Sequence, residues 1–380
     1  MLRSDTGELA AFRSEARSWL RLNVPPDLRF LTFRPEPHLG MPWYRKLAEK
    51  GWIAPHWPKE HGGMDATAAE QVVLFEELAR AGAPDIPTQG LNHIGPLLIK
   101  MGTGEQKAQH LPKIVQGDAI WCQGYSEPGA GSDLASLRTR AEISGEHLVI
   151  NGQKIWTTWG HHADWMFALV RTSQESDKRQ GITFVLIDMA TPGITRRPIR
   201  TIAFDDEFSE VFFENVKVPL TNVVGDIGKG WGTATAVLEQ ERLLLGSPAI
   251  ALRALERLRR LVRVGMVQTD DRLLDLIARA EIEVDVLTAS FLNVAENAAK
   301  VGGSDAAYLK ILATETTQFI LDVLQDAAGP LASLRSSQAV GGEKLDLNEM
   351  FLQSRRLTIY GGSSEIQRTI IANRTLGLPR

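Results

Sequence analysis

The chain has a single cysteine, Cys122, in 380 residues. One thiol excludes an intrachain disulfide framework and fits a reducing compartment. No apolar run approaches the roughly 20 residues a membrane helix requires. The opening stretch, MLRSDTGELAAFRSEARSWL, reads as an amphipathic helix and lacks the apolar centre of a signal peptide. Neither sign of charge dominates: 42 Lys and Arg against 46 Asp and Glu give a net charge of −4, with no basic footprint for nucleic acid. His161 and His162 follow a turn, with no carboxylate or cysteine cluster beside them, so no metal site is expected. These absences leave a cytoplasmic chain of ordinary globular composition, 43% hydrophobic and 23% charged.

What is present falls into three stretches. Residues 1–117 read as helical: Leu9, Phe12, Ala16, Trp19 and Leu20 recur at helical spacing, as do Val72, Val73, Phe75, Glu76 and Leu78 between Thr67 and Ala81. GWIAPHWPKEHGG, between them, is a loop punctuated by proline and glycine. Residues 118–225 carry short β-rich runs at His147–Ile150, Met166–Val170, Ile182–Ile187 and Val211–Phe213, separated by turns such as Asn151–Gly152 and Pro192–Gly193. Residues 226–380 return to helical periodicity over 231–264, 271–301 and 304–326, with breaks at Gly302–Gly303 and Gly341–Gly342. The order is helical, then β, then helical.

The most specific chemistry lies in residues 121–133, WCQGYSEPGAGSD, and in KIWTT at 154–158. Glycines 124, 129 and 131 let backbone N–H groups come close to a ligand. Hydroxyls donate to ring heteroatoms, and the Trp156 indole, beside Thr157 and Thr158 at a strand end, is able to cover a flat ring. Together these suit a planar cofactor rich in hydrogen-bonding atoms. Cys122, beside the loop, reads as a small apolar filler.

On these residues the chain resembles the acyl-CoA dehydrogenase family, whose middle domain holds FAD with a Y-S/T-E-P-x-A-G-S-D loop and a W-x-T turn. The resemblance covers nearly the whole chain. It implies an α+β fold: an N-terminal helical domain (1–117), a middle β-barrel domain (118–225) and a C-terminal four-helix bundle (226–380). It implies FAD as cofactor and an acyl-CoA thioester as substrate. Carried over position by position, the cofactor-binding residues are Tyr125, Ser126, Ser132, Trp156, Thr157 and Thr158. Ser126 stands where the family's hydroxyl meets the pyrimidine side of the isoalloxazine, Thr158 where one meets flavin N5, and Ser132 where the loop also reaches the acyl-CoA.

Near the C-terminus, IYGGSSEIQR at 359–368 resembles the family's I-Y-E-G-T-S-E/Q-I-Q-R, and implies FAD contacts at Ser363 and Glu365. It departs at one position. Many members carry their catalytic base there, and this chain has Gly361, with no side chain to take a proton. A subgroup resembling the long-chain and isovaleryl-CoA dehydrogenases carries its base on a helix of the C-terminal domain, within L-E-R or Q-E-R-L. Here Leu238–Leu243 reads LEQERL, and Glu241 matches that base. Helical geometry argues the same way. Val237, Leu238, Leu244 and Leu245 lie three and four positions from Glu241, so its carboxylate projects into an apolar stripe. A carboxylate there is costly unless paired or used, and burial makes it a stronger base. Glu239 lies roughly 200° around the helix and serves another purpose. The resemblance implies that Glu239 and Arg242 touch substrate. The alternative is a structural Glu241 paired with an arginine of another helix.

In homomeric members each FAD is completed by a neighbouring subunit, through an R-x-x-F-G turn and an F-G-G-x-G turn. Here those regions read Val262–Gln268 (VRVGMVQ) and Asp326–Pro330 (DAAGP), and both turns are degraded. The resemblance therefore implies either a homo-oligomer with a substitute such as Arg263, or a heterotetramer of the α2β2 kind whose second chain donates the missing groups. It also implies an electron-transfer flavoprotein as acceptor. Two other functions share the fold: a non-catalytic partner subunit, for which Glu241 is dispensable, and a flavin oxidase or monooxygenase, which consumes oxygen directly. The acyl chain is not specified. Branched, long or ring-bearing chains fit the space beside Gly361 and Gly362, and Arg253 and Arg257 leave a dicarboxylic acyl-CoA open.

Overall fold

The computed structural model describes residues 7–265, 267, 269–297, 303–334, 338–340, 343–345 and 347–379. The side chains of residues 239–242, 303–304, 338–340 and 343–345 are not described. The expected breaks at Gly302 and Gly341–Gly342, and Met266 and Gln268 of the first degraded turn, lie outside the described residues.

The chain forms two compact units. One comprises the residues up to Trp43, Asp65–Ile86 and everything from Arg242; the other comprises Tyr44–Met64 and Pro87–Glu241.

Helices of the first unit are marked by their caps. Helix α3 (Ala68–Ala81) opens on a capping box, in which Thr67 Oγ1 accepts from the Glu70 N–H at 3.2 Å and Glu70 Oε2 accepts from the Thr67 N–H at 2.8 Å. It ends at Gly82 in the left-handed conformation. Its buried residues are Val72, Val73, Leu74, Glu77 and Ala79: Val72 and Val73 lie in the stripe the periodicity suggests, whereas Phe75, Glu76 and Leu78 are only half-buried. Glu77 is held by α1 (Glu8–Asn23): Arg17 donates to both of its oxygens, at 2.8 and 3.0 Å. Burial opposes ionisation of this carboxyl, but the hydrogen bonds from Arg17 and Arg13 hold it below the usual carboxylate range.

The C-terminal core is formed by α7 (Ala249–Arg263), α8 (Asp271–Glu296) and α9 (Gly303–Ala328), packed around Leu255, Leu258, Leu287, Ile320 and Leu324. The periodicity over 231–264 is not one helix. It divides into α6 (Gly230–Leu245) and α7 at Gly246–Ser247–Pro248, because proline supplies no N–H to continue the ladder. The shorter α10 (Glu349–Ser354) and α11 (Ser364–Arg374) follow.

In the second unit, α5 (Gly104–Gln116) opens on a second capping box, Thr103 with Gln106. The Gln106 side chain also donates to the carbonyls of Thr221 and Val223, each at 2.9 Å, fastening α5 to the end of the sheet. The sheet has seven strands: β1 (Trp121–Gly124), β2 (Arg140–Ser144), β3 (His147–Thr158), β4 (Trp165–Arg171), β5 (Ile182–Asp188), β6 (Ile194–Ile199) and β7 (Phe208–Pro219). Their order is β1-β4-β2-β3-β7-β6, with β5 also paired to β4. The expected middle β domain is thus a curled sheet. Its centre is dry: every residue of Met166–Val170 is fully buried, as continuous apolar strands require. Asn151–Gly152 is not a turn. Strand β3 runs straight through it, with a register shift against β7 between Ile150 and Gly152. The hairpin turn comes earlier, between Ser144 and His147.

Candidate functional site

Loop 125–133 leaves the sheet at the end of β1. The Tyr125 ring is buried, edge-on to Phe167 at 5.8 Å and to Phe184 at 6.3 Å, so it anchors the loop from beneath. Glu127 and Ala130 exchange two backbone hydrogen bonds of 3.0 Å, closing the Glu-Pro-Gly-Ala turn. A Cβ built on Gly129 or Gly131 meets nothing within 4 Å, so the glycine face of the loop is open to an approaching ligand. Ser126 is half-buried and Ser132 exposed. At the far end, Arg171 donates to the carbonyls of Ala135 and Gln180, both at 2.7 Å, and so holds the segment that follows Asp133.

The turn at 154–158 ends β3, as expected, but in an unexpected way. Lys154 pairs with Val211 and Thr157 with Ser209, so Ile155 and Trp156 together face the single residue Glu210. This is a β-bulge, which leaves the extra residue out of the ladder and redirects its side chain. Trp156 takes φ +59°, rare for a bulky residue, and its indole is 56% exposed, standing edge-on to Phe208 at 6.1 Å. Thr158 is half-buried. Thr157 turns inward: it is fully buried, and its Oγ1 has no hydrogen-bond partner among the described residues.

Loop and turn are joined directly. The Ile155 N–H donates to the Ser126 carbonyl at 3.0 Å. Behind that bond, Lys154 Nζ lies 2.8 Å from Glu127 Oε1. The second unit therefore brings Ser126, Trp156 and Thr158 into one constellation, with Ser132 further along the same open loop. The pairing of Glu127 with Lys154 was missed in the sequence, where both residues pass for ordinary members of the two motifs. So was the bulge. The repeated presence of a charged residue in each motif was the one available signal.

Helix α6 is continuous through Glu239, Glu241 and Arg242, whose side chains lie outside the described residues. Of its apolar neighbours, Val237 is buried, and Leu238, Leu244 and Leu245 are half-buried.

Ser363 and Glu365 belong to the first unit. Ser363 caps α11, its side chain accepting from the Ile366 N–H at 3.4 Å, and Glu365 is exposed in the first turn. Gly361 and Gly362 have φ +65° and +87°. The buried Gln367 amide donates to both of their carbonyls, at 2.8 and 3.1 Å.

Arg253 and Arg257 are engaged within the same unit. Arg253 pairs with Asp85 and donates to the Ala83 carbonyl, and the buried Arg257 donates to the Phe30 carbonyl. Arg263 is exposed and pairs with Glu256 at 3.3 Å. Asp326–Ala328 complete α9, and Gly329–Pro330 begin a tight turn that carries no cation. Cys122 is fully buried, as a filler should be, and burial pushes its thiol up. His161 and His162 are half-buried with ring centroids 3.9 Å apart, and His161 Nδ1 lies 2.9 Å from Ser209 Oγ. No group of three metal-ligating side chains occurs among the described residues.

Comparison with known proteins is consistent along the chain. Residues 6–118 match the acyl-CoA dehydrogenase N-terminal domain, 122–216 the middle domain and 228–376 the C-terminal domain. The chain is 37% identical to acyl-CoA dehydrogenase IpdE1 of Mycobacterium tuberculosis, over 98% of each protein. Among solved structures it is similar to the Tcur3481-Tcur3483 steroid ACAD, with a TM-score of 0.88 and 32% identity over 99% of each chain. It is also similar to the ChsE4-ChsE5 complex from Mycobacterium tuberculosis, with a TM-score of 0.81 and 33% identity over the whole of both chains. With a loop and bulged turn that present hydroxyls and an indole together, and with all three domains matched, the chain belongs to the acyl-CoA dehydrogenase family and is an oxidoreductase.

Proposed function

We propose that this chain catalyses FAD-dependent α,β-dehydrogenation of a bulky acyl-CoA thioester to the trans-2-enoyl-CoA, with Glu241 as base. The observation that carries the reading is the constellation of Ser126, Trp156 and Thr158, fixed by the bond between Ile155 and Ser126. The residues fit a flavin: an exposed indole to cover the ring, an open glycine face, and the half-buried Ser126 and Thr158, whose hydroxyls are able to donate. Bound FAD would supply at N5 the acceptor for the hydride that leaves the β-carbon. Glu241, on α6, takes the α-proton. In the sequence, Val237, Leu238, Leu244 and Leu245 stand three and four positions from it, the apolar pattern that suits a carboxylate used as a base. Glu239 and Arg242 contact the substrate, and Ser132 does so from the loop. Tyr125 and Thr157 serve the cofactor through the backbone positions they fix. Ser363 and Glu365 complete the cofactor contacts from the C-terminal motif.

The left-handed Gly361 supports a base that sits elsewhere. A side chain at that φ is strained, and a glutamate there would need it. A ring-bearing acyl group is the substrate class suggested by the name of the steroid ACAD relative. A dicarboxylic acyl chain is disfavoured by the engagement of Arg253 and Arg257.

We further infer a heteromer. Neither degraded turn carries a free cation to give to a neighbour's cofactor: Arg263 is paired, and Asp326–Pro330 has none. The relatives named above as the Tcur3481-Tcur3483 and ChsE4-ChsE5 assemblies are consistent with a second, similar chain supplying those groups. Electrons then pass to an electron-transfer flavoprotein. The test is mass analysis of acyl-CoAs incubated with the purified chain, alone and with its co-purified partner. Loss of two hydrogens from a ring-bearing acyl-CoA supports the reading. Oxygen consumption in its place would point to an oxidase, and full FAD occupancy in a homomer would overturn the heteromer.

A further inference from the structure

Lys154 is fully buried on β3, where its ammonium donates to Glu127 Oε1 at 2.8 Å and to the Tyr125 carbonyl at 3.2 Å. Glu127, only 8% exposed, accepts two further bonds: from the Thr139 N–H at 2.9 Å on the same oxygen, and from the Arg138 N–H at 2.6 Å on the other. One carboxylate thus ties three stretches that are distant in sequence: the loop, the entry to β2 and the strand that carries the bulge. The next residue after Lys154 donates to Ser126, and the one after that is Trp156. Thr139 Oγ1 adds a bond to the Gln153 carbonyl at 3.2 Å.

We propose that Glu127 and Lys154 are a positioning pair, which fixes the loop bearing Ser126 against the bulge bearing Trp156 and Thr158, and thereby sets how tightly and in what orientation a flavin ring is held there. This rests on the flavin reading above. A buried pair is a poor device for stability alone, since apolar side chains of similar volume often do as well or better. What an apolar pair lacks is direction. Charge-assisted hydrogen bonds are short and fix angles, whereas apolar contact is non-directional. Direction is what the bulge requires. A tryptophan at φ +59° persists only where its surroundings over-determine it, and Lys154 and Ile155 are the two residues before it. The pair is neutral overall, so it acts on the ring through the placement of hydroxyls and indole. Burial pulls Lys154 down to about 8 against the attraction of Glu127, which leaves the ammonium charged at neutral pH.

The test uses the full chain, with its partner if one co-purifies, and FAD as probe. The variants are the neutral double substitution Glu127→Gln with Lys154→Met, and the single Glu127→Asp. The aspartate keeps both charges but draws the carboxylate back by one methylene. Far-UV circular dichroism and the thermal midpoint report folding. FAD affinity and the visible circular dichroism of the bound flavin report the site. Folded double variant with affinity reduced at least tenfold and an altered visible spectrum is the expected result. Glu127→Asp should lose about threefold or more in affinity, and it decides the matter if the double variant does not fold. Unchanged affinity and spectrum in a folded variant overturn the positioning role while leaving the flavin reading intact. A wild-type chain that binds no FAD in any assembly overturns both.

Discussion

Gln367 donates its side-chain amide to the carbonyl of Gly361 at 2.8 Å, and so holds the turn in which glycine stands at the position of the base in the family motif. A Cβ on Gly362 would come within 2.4 Å of the same amide nitrogen. Gly361→Glu is therefore expected not to restore turnover to a Glu241→Gln chain. It should also cost about 1–2 kcal/mol of stability, the penalty for a side chain in the left-handed region. Urea midpoints of wild type and Gly361→Ala measure the cost. Equal midpoints would show that the turn relaxes freely.

Breaking the buried pair from one side leaves a charge without its partner. Lys154→Met alone is expected to lower stability by about 3–5 kcal/mol. Adding Glu127→Gln should recover a substantial part of it, so the two substitutions are strongly non-additive. Denaturant titration of both singles and the double measures the coupling. Additive effects would mean that the two groups do not interact in the folded chain.

Two histidines make the second unit sensitive to acid. Burial lowers His110 to about 4, with Lys113 contributing, and burial lowers His56 to about 4 against a hydrogen bond involving Leu91. His110 is buried, edge-on to Trp121 at 5.1 Å and to Trp165 at 4.6 Å. Each histidine takes up a proton in the unfolded chain near pH 6.5 and in the folded chain only near 4. Their contribution to stability is thus complete above about pH 6.5 and is lost as pH falls toward 4, at up to about 1.4 kcal/mol per pH unit for each. Urea midpoints at pH 7.5 and 5 should differ, and His110→Gln should reduce the difference. A flat profile over that range would contradict the assignment.

Arg253 is a structural cation. Arg253→Ala should lower stability by about 1–2 kcal/mol, through loss of Asp85 and the Ala83 carbonyl, and leave the preference between monocarboxylic and dicarboxylic acyl-CoAs unchanged. A selective loss on dicarboxylic substrates, measured as kcat/KM on a matched pair, would show that the arginine reaches substrate after all.

Sequence signals were readable where a local rule governed. The caps at Thr67 and Thr103 lie at fixed spacing before Glu70 and Gln106, and α3 begins and ends as its periodicity requires. Asn151–Gly152 misleads because the same dipeptide marks hairpins, yet here β3 is paired to β2 and β7 on either side and continues through a bulge. The break between α6 and α7 was written in Gly246 and Pro248, but the apolar period on either side runs past it. At the site, the loop motif is local and legible. The geometry that makes it useful is not: the contact of Glu127 with Lys154 spans 27 positions, and a tryptophan takes φ +59° only because its tertiary surroundings impose it.

The most direct test is anaerobic flavin bleaching by a panel of acyl-CoAs, wild type beside Glu241→Gln, on protein first shown to be yellow. The account predicts bleaching by wild type, strongest with ring-bearing acyl groups, and none by the variant. Bleaching by both would contradict it, since another residue would then be taking the α-proton.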